Sequence, residues 1–184
     1  MRWLSKGKDT SQAGGHRTDA RTTISIPELI VRNTSPYPTT QVESLLIFAF
    51  DEILHTGVEV HVKGSNRSYR GRAYDGIPRM ANVSDSARYL VTIGLSRTQS
   101  GLPLRVTLGT KRLQRKYPDG VPVDDWEDVL VYVAAHEARH IWQFQARKQK
   151  RKMALSEVDA DTYAIYQLNE WRCLSGRDPF RLQI

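Results

Sequence analysis

The chain has 184 residues, 40% of them hydrophobic, one cysteine and a formal net charge of +7. That length suits a single domain with one core. The lone Cys173 excludes an internal disulfide and fits a reducing compartment, and no apolar run approaches the roughly 20 residues that a membrane-spanning helix needs. The opening residues, Met1-Arg2-Trp3-Leu4-Ser5-Lys6, lack the apolar stretch of a signal peptide. The expectation is a cytoplasmic protein, or one made inside the cell and packaged into a larger assembly.

Residues 1–22 are rich in Gly, Ser, Thr, Lys, Arg and Asp. They cannot bury enough surface to offset the cost of ordering, so they read as a disordered basic arm ahead of a domain over 23–184. Ile24, Ile26, Leu29 and Val31 suggest a first strand, interrupted at Pro27. Thr40 and Glu43 have capping-box spacing. They open a helix through Val42, Leu45, Leu46, Phe48, Ala49, Phe50, Ile53 and Leu54, closed by Gly57. Val58, Val60 and Val62 alternate with Glu59, His61 and Lys63, the pattern of a half-buried strand. Residues 64–87 are polar and Gly-rich, with Tyr69, Tyr74 and Ile77 as anchors. Leu90 to Leu95 predicts a second strand and Val106 to Leu108 a short third, followed by a basic stretch. Asp124 and Glu127 have capping-box spacing before a helix-like run to Arg147. A last helix ends near Ser175-Gly176, with Pro179 beyond it. Cys173 falls late in that helix and reads as a packed or idle thiol.

The long helical run contains His136-Glu137-Ala138-Arg139-His140, an H-E-x-x-H motif. Positions four apart share a helix face, so both imidazoles can reach one metal ion. Glu137 is placed to hold a metal-bound water and act as its general base. Val129, Val133, His136, His140 and Phe144 form one stripe at helical spacing, which suits a dry, rigid site. A core helix with two hydrogen-bonded histidines is the plainer alternative.

Catalytic zinc usually takes three protein ligands. Glu157, Asp159 and Asp161 follow downstream and all could serve. Glu157 and Asp161 share a helix face, whereas Asp159 points about 200° away from Glu157. The reading takes Glu157 as the third ligand and Asp161 as the carboxylate that orients a ligand histidine. Asp159 is expected to be a solvated surface residue or a first-turn acid complementing the helix dipole.

His136-Glu137-x-x-His140 followed by Glu157-x-x-Ala160-Asp161-x-x-Ala164 resembles the gluzincin clan of zinc metallopeptidases. The E-x-x-A-D form is similar to the second motif of the membrane-bound CAAX-processing proteases, although this chain lacks their membrane spans. The run through Tyr163 and Ala164 is similar to the ImmA/IrrE-type peptidases and their small soluble relatives. It departs from them in having Asp161 where Asn is usual, and Ile165-Tyr166-Gln167-Leu168 without the expected proline. The resemblance covers roughly residues 124–174. It implies that Glu157 is the third zinc ligand. It also implies a minimal zincin-like α+β domain: an N-terminal helix, a small mixed sheet, the H-E-x-x-H helix and a following ligand helix. The implied activity is peptide-bond hydrolysis, with a peptide or protein lying as an added strand on a sheet edge beside the cleft. Tyr89 to Ser96 is the expected edge. Tyr163, Tyr166, Arg139 and His61 are each eligible to stabilise the oxyanion, and the sequence selects none.

Arg147-Lys148-Gln149-Lys150-Arg151-Lys152 carries five positive charges. With the basic arm, it could take a nucleic acid or an acidic protein nonspecifically. A solvated loop is the plainer reading. A DNA-associated metalloprotease in the manner of SprT-like proteins is one form of the first. The alternative to an active peptidase is a zincin-fold structural or accessory module of a nucleic-acid-associated, phage or mobile-element assembly. A plain nucleic-acid-binding protein with a coincidental motif is the third reading.

Overall fold

The computed structural model describes residues 29–53, 57–148 and 156–179. The basic arm, Ile24 and Ile26 of the expected first strand, Leu54, and 149–152 of the basic run lie outside them. The fold is α+β. A four-stranded sheet is formed by β1 (Ile30–Thr34), β2 (Val58–Ser65), β3 (Tyr69–Tyr74) and β4 (Tyr89–Ser96) in the order β1-β2-β4-β3. β1 and β4 run parallel to β2, and β3 runs antiparallel to β4. A separate two-stranded piece pairs β5 (Arg105–Val106) with β6 (Val121–Pro122). The helices are α1 (Thr39–Phe50), α2 (Lys111–Lys116), α3 (Trp126–Lys148) and α4 (Glu157–Leu174). Among the described residues, no helix is long and apolar enough to cross a membrane.

One core joins the layers. Val42, Leu45, Leu46, Ala49 and Phe50 recur at helical spacing on α1 and are buried. They share a cluster with Val60, Val62, Val91, Ile93 and Leu95 of the sheet and with Val129, Val133 and Ile141 of α3. α3 is the central helix, packed on β3, β4, α1 and α4. That surroundedness explains why it is buried on nearly every side. The face of the sheet turned away from α3 carries Glu59, His61, Arg70 and Arg72 instead.

The structure revises several sequence expectations. Tyr89–Ser96 is an interior strand, not an edge. It is buried on both faces, which is what lets it sit between β2 and β3. The edge nearest α3 is β3, in the segment that read as polar loop. Val106–Leu108 becomes a two-residue strand outside the main sheet. α1 begins at Thr39 behind Pro38 without a side-chain cap, so Thr40 and Glu43 form no capping box there. It gives way to a 3-10 turn at Asp51–Ile53. The cap of α3 lies one residue later than expected. Asp125 accepts the Asp128 N–H at 3.0 Å, and Asp128 accepts the Asp124 N–H at 3.1 Å.

Candidate metal centre

α3 and α4 cross so that His136, His140 and Glu157 converge. Nε2 of His136 and Nε2 of His140 are 3.1 Å apart. Glu157 offers one oxygen to each: Oε2 is 3.3 Å from His136 and Oε1 3.4 Å from His140. A tetrahedral centre with bonds of about 2.0–2.1 Å sets its ligand atoms about 3.3 Å apart. The imidazole separation is close to that value and each imidazole has one carboxylate oxygen at a similar distance, so these three residues could together hold a metal ion such as zinc.

The chemistry of the donors fits as well. Gln143 is fully buried and fixes the tautomer of His140. Its Oε1 accepts the Ser156 backbone N–H at 3.2 Å, and its Nε2 donates to the Ser156 carbonyl and to Asp159. Oε1 is therefore an acceptor, so the His140 Nδ1 that lies 3.0 Å from it must carry a proton. Neutral His140 then presents an unprotonated Nε2. On His136, Nδ1 lies 3.0 Å from Oδ1 of Asp161, close but off the straight line of a hydrogen bond. Asp161 is held by the Tyr132 hydroxyl at 2.9 Å and the Gly109 N–H at 2.8 Å. Two lone pairs facing each other at 3.1 Å repel unless a cation or a proton lies between them. Burial opposes charging of His136, but Asp161, Glu137 and Glu157 outweigh it and raise its pKa. The cluster thus attracts positive charge.

Glu137 is buried on the same stripe, beneath β3. Burial pushes its carboxyl above the ordinary range, against the pull of His136, His140 and the Ala73 backbone N–H. Gly71 permits the approach. A β-carbon there would lie 2.7 Å from Cγ1 of Val133 and closer still to Oε1 of Glu137. A cleft of about 350 Å³ is lined by Gly71, Arg72, Ala73, His136, Glu137 and Glu157, among others. The Glu157 side chain is 53% exposed, so the centre opens to solvent.

Other predicted residues fall elsewhere. Asp159 is not a free surface acid. It takes two hydrogen bonds from Arg139, at 2.8 and 3.0 Å, and one from Gln143 at 2.9 Å. Its burial raises the pKa, and these donors more than reverse that. Facing away from Glu157 turned it toward α3 rather than toward water. Arg139 is spent on Asp159 and on the Trp142 ring, 3.9 Å from its centroid. His61 is bound to Glu59 at 2.6 Å on the far face of the sheet. Tyr166 is exposed on α4, and Tyr163 accepts from Gln167. None of these four lines the two cavities around the histidines. Tyr69 does line one of them, with His136, Glu137 and Glu157. Its oxygen accepts the Thr107 N–H at 3.1 Å, which leaves its O–H as a donor. Sequence reasoning passed over Tyr69 and Gln143. Gln143 was findable: it lies three residues after His140 on the same helix, within reach of its ring.

Comparisons of the chain with protein-family models, curated proteins and solved structures found no match.

Proposed function

We propose that the protein is a zinc-dependent metallopeptidase of gluzincin type, intracellular, with His136, His140 and Glu157 as the metal ligands. The observation that carries this reading is the convergence of His136, His140 and the Glu157 carboxylate, one ligand atom from each lying within 4.8 Å of the others, with Glu137 beside them under an exposed strand edge. A zinc ion held there would polarise the scissile carbonyl and acidify the attacking water. Glu137 takes the water's proton and passes it to the leaving nitrogen. Burial raises its pKa above the ordinary carboxylate value, which strengthens it as a base. Gly71 offers its N–H and C=O, and Ala73 its C=O, to an extended substrate, the Ala73 N–H being held by Glu137. Gln143 holds the His140 ring, and the Asp161 carboxylate lies 3.0 Å from Nδ1 of His136, so that each Nε2 turns inward.

A purely structural or accessory metal module would have no use for Glu137. Its burial among the histidines, against a Gly that admits it, favours catalysis. The test is metal analysis of the purified protein, together with hydrolysis of a diverse peptide library by wild type and Glu137→Gln. Wild type should carry one zinc and cleave. The variant should keep the zinc and the fold and lose hydrolysis by at least about a hundredfold. Equal cleavage by both proteins overturns the assignment of Glu137. Zinc without cleavage favours the accessory module.

A further inference from the structure

β3 presents two different surfaces to whatever pairs with it. Ser96 N–H donates to the Ser68 carbonyl at 3.0 Å, and the register continues Arg70 with Gly94, Arg72 with Thr92 and Tyr74 with Leu90. Antiparallel pairs alternate between exchanging both hydrogen bonds and exchanging none. Arg70, Arg72 and Tyr74 therefore spend their backbone groups on β4. Tyr69, Gly71 and Ala73 turn theirs away from β4, where the Ala73 N–H meets the Glu137 carboxylate. Side chains alternate in the same rhythm. Gly71 faces Glu137 and the cleft, while Arg70 and Arg72 face the opposite side of the sheet.

On that opposite side Lys63, Arg70 and Arg72 carry positive charge with no paired acid among the described residues. Lys63, Gly94 and Arg70 form one row across it, and His61, Thr92 and Arg72 form the next. The central strand contributes only Thr92 and Gly94, so the long cations flank a trough of about 370 Å³. Glu59 is the acidic side chain that β2 places on this face. It is already bound by Arg32, His61 and the Ser84 N–H. Lys63, Arg70 and Arg72 are exposed and form no ion pair among the described residues.

An added strand paired with β3 turns the residue opposite Gly71 toward the cleft. Its neighbours on either side turn outward, beside Arg70 and Arg72. Opposite charges across a strand pair attract, and like charges repel. We infer that the substrate segment carries Asp or Glu at these two outward positions, flanking the residue paired with Gly71. The inference rests on the peptidase reading for β3 as the substrate edge. A peptide suits this site better than a nucleic acid strand. The edge offers both an N–H and a C=O at Gly71, and a phosphodiester backbone has no donor for the carbonyl.

The test is fluorescence anisotropy with the full chain in chelator, so that hydrolysis cannot intervene. The probes are a ten-residue peptide with Glu at alternate positions, its Lys counterpart, and a ten-nucleotide oligo-dT. The Glu peptide should bind roughly tenfold tighter than the Lys peptide at low salt, with the gap shrinking as salt rises. Arg70→Glu with Arg72→Glu should reverse the order. Arg70→Gln with Arg72→Gln should erase the preference even if the reversal variant fails to fold. Equal binding of the two peptides, or binding of neither, overturns the inference. So does an oligonucleotide that outbinds the Glu peptide and is the probe lost on charge reversal. Hydrolysis by zinc-loaded protein is read separately. Binding of the Glu peptide without cleavage defeats the peptidase reading alone, and cleavage without charge preference defeats this inference alone.

Discussion

Gly71 and Glu137 occupy adjoining space, with no room for a β-carbon between strand and helix. Glu137 is the far end of a flexible side chain and could shift. Val133, also in the way, is a stiff residue on a packed helix. Gly71→Ala should therefore force β3 away from α3 and displace the Glu137 carboxylate together. The expected cost is about 1–3 kcal/mol of stability and a larger fractional loss of peptide hydrolysis than of zinc content. Thermal unfolding, metal analysis and a peptide cleavage assay check the three parts. Unchanged unfolding and cleavage would show that strand and helix are not in contact at this point.

The same contact explains why β3 was invisible in the sequence. Tyr69-Arg70-Gly71-Arg72-Ala73-Tyr74 has no apolar alternation. Its inner face is small at Gly71 and Ala73, where α3 lies against it, and its outer face carries Arg70 and Arg72, charged as exposed edges commonly are. The pattern rule looks for large apolar residues and finds glycine and alanine. β4 misled in the opposite way. Its legible apolar run reflected burial on both faces, which marks an interior strand. The histidine pair was readable because helix periodicity alone places both rings on one face. Glu157 was picked out by the need for a third ligand, the helix face it shares with Asp161 and a motif resemblance, but where it would meet the histidines required the crossing of α3 and α4.

Asp161 and Gln143 hold different histidines and should fail differently. Asp161→Asn keeps an acceptor for the Gly109 N–H, turns its amide N–H to the Tyr132 oxygen, which can accept, and removes the charge beside His136. Zinc affinity should fall about 10- to 100-fold with little change in the fold. Gln143→Met also strands the Ser156 N–H and C=O at the start of α4. It should lose affinity to a similar degree and also about 1–3 kcal/mol of stability. Chelator competition and chemical denaturation, run on both variants, separate these outcomes. Wild-type affinity in both would mean that the ring orientations are set by packing alone.

Tyr69 carries a hydroxyl donor in a cavity wall that it shares with His136, Glu137 and Glu157. If it donates to the oxygen that gains charge, Tyr69→Phe should lower kcat about 100-fold and leave KM within about twofold. The Thr107 N–H would lose its acceptor, so a small stability loss should accompany it. A variant with raised KM and unchanged kcat would assign Tyr69 to substrate binding instead.

Glu59 gives the fold a pH dependence separate from the metal centre. Its side chain is buried on the outer face of β2. Burial alone would raise its pKa, but the Ser84 N–H, His61 and Arg32 together hold it below the ordinary carboxylate value. A carboxyl whose folded pKa is depressed adds stability above its unfolded pKa, and that stability is lost as the pH falls through the folded value. Glu59→Gln should thus be less stable than wild type at pH 7, by about 1–3 kcal/mol, since the amide cannot pair with Arg32 as an ion. The gap should begin to narrow as the pH drops below the unfolded value of about 4.3 and close as it falls through the lower folded value, where the wild-type carboxyl also becomes neutral. Urea melts of both proteins in chelator at pH 7, 5 and 3 measure the difference without the metal. A gap that stays constant across that range would mean that Glu59 contributes through packing and neutral hydrogen bonds rather than through its charge.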